Sequence, residues 1–204
     1  MLLRINPDNI NDRHIWQVVN CLRNGGVIIY PTDTVYTLGC DLTHPEAYER
    51  VCKLKGVKPN KANFSIVCYD LSHISDYTIN VSTPVYKLMK RCLPGPYTFI
   101  LNGNNHLSKI YGYNKKTVGI RVPDNPICRA IVDELGTPIL SASIKNDDTI
   151  LEYITDPDEI YEQYEKLVDI VIDGGAGGNV PSTIIDYTNA EPILVREGAG
   201  EFSA

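Results

Sequence analysis

Residues 26–41 read GVIIYPTDTVYTLGCD, and this stretch predicts more about the fold than any other. Its apolar first half is closed by Pro31, as expected for a short buried strand that ends in a loop. Three polar residues, Thr32, Asp33 and Thr34, follow the proline. Open α/β sheets bind ligands where strands end and loops begin, so these side chains indicate a candidate ligand site. The same residue types are also typical of turns and helix caps, which is the competing interpretation.

On both sides of this stretch, apolar residues at helical spacing alternate with short apolar runs bounded by glycine and proline. The predicted helices cover residues 10–22, 45–55, 85–93, 127–135 and 157–167. The predicted strands cover residues 27–30, 64–68, 97–101, 117–122, 138–142, 168–172, 183–186 and 193–196. Strands and helices in this order predict an α/β fold with a mixed sheet, and we expect a single domain over residues 1–204.

The amino-acid composition excludes several classes of protein. Of the 204 residues 43% are hydrophobic and 22% charged, which excludes a disordered polymer, a fibrous repeat and a coiled coil. Acidic residues outnumber basic ones by 25 to 19, and the net charge of −6 disfavours a broadly basic nucleic-acid clamp but permits a local basic cavity. No apolar stretch reaches the roughly 18 residues of a membrane span, and no signal-peptide pattern is present, so we expect no membrane partner and a cytoplasmic protein.

The six cysteines include no C-x-x-C pair, and most have apolar neighbours. The four histidines are scattered and do not supply the usual metal-ligand spacings. We therefore expect the thiols to be small buried hydrophobic groups in a reducing compartment, with neither a disulfide framework nor a structural metal.

Four lysines, Lys53, Lys55, Lys58 and Lys61, lie where a predicted helix passes into a loop containing glycine and proline. In an acidic protein, such a cluster indicates an anion site, for example for a nucleotide phosphate. The alternative is a set of solvated lysines that complement the negative end of the helix dipole.

Polar groups also follow other predicted strands. The glycine-rich segment at residues 173–183 permits close approach of a ligand to the backbone, or it is simply a tight turn. Arg121 and Arg196 stand at strand ends, where a guanidinium suits carboxylate or phosphate recognition, although surface arginines are common. Ser141 and Ser143 end a strand without a histidine at partnered spacing, which makes a serine hydrolase improbable.

Five motifs in a fixed order resemble the YrdC/YciO family, whose active members are L-threonylcarbamoyladenylate synthases. The motifs are YPTDTVYTLG at 30–39, LPGPYT at 93–98, GIRVPD at 119–124, STIID at 182–186 and VREG at 195–198. The resemblance covers roughly residues 4–200 and is greatest to the YciO branch. It implies a YrdC/RibB-like fold, a twisted, open, mixed sheet flanked by helices, with a large positively charged cavity.

The family reaction condenses L-threonine, bicarbonate and ATP into threonylcarbamoyl-AMP and pyrophosphate, and the product serves N6-threonylcarbamoylation of adenosine 37 in tRNA. The resemblance thus implies ATP with Mg²⁺ as a substrate and no tightly bound cofactor. Family members have also been described as binding double-stranded RNA, so tRNA or duplex RNA is a further expected partner. We expect a monomer or a weak homodimer.

The resemblance also assigns residues. It implies that Lys55 and Lys58 are the catalytic residues. The nucleotide-binding set is Thr34, Lys55, Ser141, Ser143, Ser182 and Arg196. The threonine-binding set is Thr32, Tyr36 and Arg121, with the arginine suited to the threonine carboxylate.

Two family elements differ in this chain. Active members carry a Lys-x-Arg pair where this sequence reads Lys55-Gly56-Val57, and Lys58 is the nearest replacement for the arginine charge. Their Ser-x-Asn triplet reads Ser143-Ile144-Lys145 here. The alternative to a synthase is therefore a nucleotide-binding or duplex-RNA-binding protein with weak or no synthase activity. A related adenylating or carbamoyl-transfer enzyme with another acceptor is a third, minor hypothesis.

Overall fold

The computed structural model describes residues 1–111, 116–144, 153–189 and 191–202. All the helices and strands that the sequence predicts are present, in the predicted order. The α-helices are α1 Asp12–Arg23, α2 Pro45–Leu54, α3 Thr83–Cys92, α4 Asn105–Tyr111, α5 Pro126–Leu135 and α6 Pro157–Tyr164. The strands are β1 Leu2–Arg4, β2 Val27–Tyr30, β3 Thr37–Asp41, β4 Ser65–Val67, β5 Tyr97–Asn102, β6 Thr117–Arg121, β7 Ile139–Ser143, β8 Ile170–Asp173, β9 Thr183–Asp186 and β10 Ile193–Arg196.

All ten strands belong to one open sheet in the order β1-β8-β2-β3-β7-β4-β6-β5-β9-β10. The pairs β1–β8, β2–β8, β4–β6 and β5–β9 are parallel, and the other pairs are antiparallel. The prediction of an α/β fold with a mixed sheet is therefore confirmed.

Helices pack on both faces of the sheet but cover them unequally. Helices α2, α3 and α6 contribute to an apolar cluster that includes Ile29, Ile66 and Phe99 and so runs across most of the sheet. Helices α1 and α5 contribute to the opposite cluster, which includes Ile28 and Ile139 and covers mainly the half near β1, β8 and β2.

The other half of that second face carries small and polar side chains. Ser65 lies two residues before Val67, which belongs to the α1–α5 cluster, so both side chains point to the same face. Gly119 and Ser141 are the register partners of Ser65 on β6 and β7. Ser65, Gly119 and Ser141 leave the middle of the sheet uncovered beside the α1–α5 cluster. We call this uncovered patch the polar floor.

Three elements were not predicted: β1, β3 and α4. Strand β3 pairs with β2 through an antiparallel register in which Ile28 faces Gly39, so the polar stretch at 31–36 connects two sheet strands. The prediction that Lys145 replaces the family asparagine falls outside the described residues.

Two compositional expectations concern cysteines and membranes. Four of the six free thiols are buried, as predicted for small hydrophobic groups, and Cys21 and Cys92 are half-buried. Among the described residues, no helix is long and apolar enough to cross a bilayer, and no group of three or more His, Cys, Asp or Glu side chains is arranged to hold a metal ion.

Candidate functional site

A cavity of about 360 Å³ opens above the polar floor, at the end of β7. Four of the described residues that line it are cationic: Lys55, Lys61, Arg121 and Arg196. No carboxylate is among the described residues that line it. The remaining lining residues are Thr34, Val35, Thr37, Val57, Ala62, Asn63, Phe64, Ser65, Thr98, Ser141, Ala142, Ser143, Pro181, Ser182 and Ile184.

Arg121, the last residue of β6, is the most deeply buried of these cations, with 5% exposure. Its Nη2 donates a 2.9 Å hydrogen bond to Thr34 Oγ1 and lies 3.4 Å from Asp33 Oδ1. Its Nε has no hydrogen-bond partner among the described residues. Nε itself is buried, but Arg121 lines the cavity, where a guanidinium suits an anionic ligand such as a carboxylate.

Asp33 connects the loops that follow β2 and β6. Its Oδ1 approaches Arg121, and its Oδ2 accepts a 3.1 Å hydrogen bond from the Asp124 amide. Burial raises the pKa of the Asp33 carboxyl, because desolvation outweighs the opposing effects of the Arg121 charge and these hydrogen bonds. Asp33 therefore holds Arg121 in place, although burial removes water from its own carboxylate.

Thr32 and Tyr36, predicted to bind threonine, do not line the cavity. The Thr32 hydroxyl accepts the Thr34 amide at 3.1 Å and donates to the Val35 carbonyl at 2.8 Å, which fixes the turn that presents Thr34. The Tyr36 hydroxyl donates to the Gly175 carbonyl at 2.7 Å and accepts the Gly174 amide at 3.1 Å. Burial raises the pKa of Tyr36 to about 12, so this hydroxyl stays protonated at neutral pH.

The glycine-rich segment therefore packs against this turn. Gly175 adopts a φ of +95°, which L side chains rarely adopt. A Cβ on Gly177 would lie 2.6 Å from Cδ2 of the Tyr36 ring. The glycines are explained by a tight turn and close packing on Tyr36, which is one of the two interpretations open from the sequence.

Lys55 caps the C-terminus of α2, and its Nζ donates a 2.7 Å hydrogen bond to the Ser143 carbonyl at the end of β7. This hydrogen bond holds the Lys55 ammonium group at the cavity, next to the end of β7. Lys58 is exposed and is not among the lining residues, whereas Val57 and Lys61 are. The catalytic assignment of Lys58 stays a prediction.

Arg196 reaches the same cavity from β10. Its Nε and Nη2 donate hydrogen bonds of 3.0 Å and 2.9 Å to the Ser182 carbonyl. The hydroxyl of Ser182 shares a 2.8 Å hydrogen bond with that of Thr98 on β5. Lys55 and Arg196, which are 141 positions apart in the sequence, thus line one cavity.

Seven of the ten predicted site residues line the cavity: Thr34, Lys55, Arg121, Ser141, Ser143, Ser182 and Arg196. The sequence interpretation missed Ser65, Phe64 and Thr98 as site residues. The available signal was weak, because one small polar residue in an apolar strand becomes informative only when the register places several of them on one face.

Comparison with known proteins identifies the same family as the sequence motifs. The Sua5/YciO/YrdC family model, described as "Telomere recombination", matches residues 20–198. YciO of Escherichia coli K12 is 43% identical over 198 residues, which cover 97% of this chain and 95% of the relative. The crystal structure of E. coli YciO superposes with a TM-score of 0.86 and 40% identity, covering 98% of this chain and 97% of that one.

More distant relatives carry functional names. Threonylcarbamoyl-AMP synthase of Bacillus subtilis is 31% identical over 92% of this chain, which spans 54% of the synthase. P. abyssi Sua5 complexed with L-threonine matches with a TM-score of 0.87 and 25% identity, over 97% of this chain and 57% of Sua5. The family model and the identity to YciO together show that this chain belongs to the Sua5/YciO/YrdC family.

Proposed function

We propose that the protein makes threonylcarbamoyl-AMP from L-threonine, bicarbonate and ATP, for N6-threonylcarbamoylation of adenosine 37 in tRNA. The observation that carries this proposal is the cavity lined by four cations, with no carboxylate among its described lining residues, in a chain of net charge −6. ATP and a carbamate are both anions, and a site that holds them side by side must neutralise their repulsion.

The reaction has two steps. The neutral amine of L-threonine and bicarbonate combine to form a carbamate and water. One carbamate oxygen then attacks the α-phosphorus of ATP, the bond from that phosphorus to the oxygen bridging to the β-phosphate breaks, and pyrophosphate leaves. Positioning and charge stabilisation account for most of the catalysis in phosphate chemistry of this kind.

The residues in and around the cavity have distinct roles in this proposal. Arg121 binds the threonine carboxylate beside Thr34, while Thr32 and Tyr36 act on the threonine side by holding the surrounding turns. Lys55 and Arg196 bind the phosphates, with Ser182 near the ribose and Ser141 and Ser143 on the floor. Mg²⁺ enters with ATP and is held mainly by its phosphates, because the cavity offers no carboxylate among its described lining residues.

Pyrophosphate release tests the proposal. We expect release that requires both L-threonine and bicarbonate, and no release above a blank without enzyme would refute synthesis. Arg121→Ala should raise the KM for threonine about tenfold or more, because it removes a charged hydrogen-bond partner of the carboxylate. Arg129→Ala is the control, since Arg129 packs over the Tyr69 ring and does not line the cavity.

One observation favours a second candidate function, binding of a nucleotide or duplex RNA without efficient synthesis. Val57 lines the cavity at the position where active family members carry the arginine of Lys-x-Arg. Binding of duplex RNA at this cavity should weaken steeply between low and moderate salt, because bound phosphates release counterions. An RNA affinity that does not change with salt would exclude the cavity as the binding surface. A cytoplasmic location and a monomeric or weakly dimeric state stay predictions.

A further inference from the structure

The segment that follows β10, residues 197–201, turns back over the start of β9, and we call it the strap. Its Ala199 amide donates a 2.8 Å hydrogen bond to the Pro181 carbonyl, just before β9. At the far end of the strap, the Glu201 carbonyl accepts a 2.9 Å hydrogen bond from the Tyr97 hydroxyl. The strap is therefore fastened to both β9 and β5.

The centre of the strap is held by a single side chain, that of Thr183, which is fully buried. Its Oγ1 accepts the amides of Gly198 and Gly200 at 3.0 Å and 3.1 Å, and it donates to the Gly200 carbonyl. A threonine hydroxyl has one donor and two acceptor positions, so Thr183 uses its whole hydrogen-bonding capacity on the strap.

Thr183 and its neighbour Ser182 point to opposite faces of the sheet. Ser182 lines the cationic cavity, and its hydroxyl shares a hydrogen bond with that of Thr98. Thr183 is not among the described lining residues, and its register partner Tyr97 packs against the apolar cluster of α2, α3 and α6. The strap is therefore fastened on the face of the sheet opposite the cavity.

Strand β10, which delivers Arg196 to the cavity, is held only weakly by burial and pairing. The side chains of Ile193, Leu194 and Val195 are between 44% and 54% exposed. β10 is an edge strand, and its register with β9 shifts between Leu194 and Arg196. Such a bulge interrupts the ladder and changes the direction of the strand. The position of Arg196 therefore depends strongly on what fixes the chain after it.

The strap supplies that fixation beside the guanidinium itself. Gly198 passes so close to the Ser182 peptide that a Cβ on Gly198 would lie 2.5 Å from the Ser182 carbonyl carbon. The Arg196 guanidinium donates two hydrogen bonds to the same Ser182 carbonyl. The strap and the guanidinium therefore meet at one peptide group, and a strap that moved away would displace the backbone of Arg196.

We propose that Thr183 is a positioning residue for Arg196, because its hydroxyl holds the strap and thereby keeps the guanidinium in the cavity. The inference rests on the proposed function, since it takes ATP as the ligand whose phosphates Arg196 binds. It gives a role in ligand binding to a residue that lies outside the cavity.

Two substitutions of Thr183 test this role through the affinity for ATP. Thr183→Val keeps the shape of the side chain but removes the hydroxyl, so ATP should bind about tenfold more weakly, the effect of one hydrogen bond to a charged group. Thr183→Ser keeps the hydroxyl and should retain most of the affinity. Thr78→Val is the matched control, because the buried Thr78 hydroxyl donates to the Ile74 carbonyl outside the cavity. It should lower stability and leave ATP affinity unchanged.

A double-variant cycle separates positioning from a general loss of structure. Arg196→Ala should lower ATP affinity by a factor similar to that of Thr183→Val, and adding Thr183→Val to it should lower the affinity no further. Gly198→Ala displaces the strap without altering Thr183, because its Cβ would collide with the Pro181 carbonyl. This variant should also weaken ATP binding, and it replaces Thr183→Val in the test if the valine variant does not fold.

Three results would overturn the positioning role. They are wild-type ATP affinity in Thr183→Val or its replacement, an equal loss in Thr183→Ser, and a further loss when Thr183→Val is added to Arg196→Ala. Each of them leaves the proposed function intact. Failure of the wild-type protein to bind ATP would overturn the proposed function as well.

Discussion

The side chains of Asp33 and Arg121 are only 9% and 7% exposed, and each charge would be costly to bury alone. Their pairing is incomplete, because the Nη2–Oδ1 distance is 3.4 Å and Arg121 Nε has no partner among the described residues. A fully paired guanidinium would have little capacity left for a ligand. The long contact therefore fits an arginine that the protein positions without a tight ion pair, beside a cavity that an anionic ligand can enter.

The raised pKa of Asp33 predicts a pH effect on stability. The folded state holds a proton on Asp33 more tightly than the unfolded state, so ionisation costs stability as pH rises from the ordinary carboxyl pKa, about 3.9, through the raised one. We expect the unfolding free energy of the wild-type protein, minus that of Asp33→Asn, to fall across this window and then level off. Urea unfolding between about pH 4 and pH 7 measures it. A difference that rises or stays constant would contradict the assignment.

Lys55 is predicted to bind ATP directly. Lys55→Ala should weaken ATP binding about tenfold or more, because it removes a cation that donates hydrogen bonds to phosphate. Lys53→Ala is the matched control: Lys53 lies in the last turn of α2 and is exposed, but does not line the cavity. Calorimetric titration measures both variants, and unchanged affinity in Lys55→Ala would remove this lysine from the site.

At the scale of elements, two strand glycines have different functions. A Cβ on Gly119 of β6 would lie 2.6 Å from Ser65 Oγ, on the cavity floor. A Cβ on Gly39 of β3 would lie 2.6 Å from the Tyr30 ring and 2.7 Å from Ile139 Cγ2, in the packed core. The first glycine keeps a floor open, and the second permits close packing.

This difference predicts that Gly39→Ala mainly lowers stability, whereas Gly119→Ala mainly lowers ATP affinity. Gly39→Ala should lower the unfolding free energy by about 1–3 kcal/mol, the usual cost of overpacking, and leave ATP affinity nearly unchanged. Gly119→Ala should destabilise the protein less, because the Ser65 hydroxyl can rotate away, but should lower ATP affinity. Thermal unfolding with and without ATP separates the two effects. Equal ATP affinities in both variants would contradict a ligand on this floor.

Elements with a strong periodic signal could be predicted from the sequence. Helix α5 has five buried apolar residues at helical spacing, an Asn125 cap and a C-terminal Gly136 with a φ of +76°, so the sequence identified its ends within a residue. Strand β3, with the sequence TLGCD, contains glycine and polar residues but is buried along its whole length. Its pairing with β2 and β7 stabilises it, and a local pattern does not contain that information.

The residues of the candidate site also differ in whether the sequence alone could predict them. Motif resemblance identified Thr34, Lys55, Arg121 and Arg196, whose side chains the cavity brings together. Ser65 belongs to none of the recognised motifs, and its place on the floor depends on the register of β4 with β6 and β7. Such residues become candidates only after the strands are aligned.

At the scale of the whole molecule, the protein combines an acidic composition with a cationic cavity. The net charge of −6 repels polyanions from most of the surface, so an anionic ligand is favoured only where positive side chains are concentrated. The open ten-stranded sheet makes this concentration possible, because the C-terminal end of α2, β6 and β10 each deliver a cation to one cavity. The proposed function depends on that convergence.

A crystal structure with a non-hydrolysable ATP analogue and L-threonine tests this convergence most directly. The account predicts triphosphate density between Lys55 and Arg196 and the threonine carboxylate against Arg121. Ligand density elsewhere, for example in the separate groove lined by Tyr69 and Asp133, with the cationic cavity empty, would contradict it.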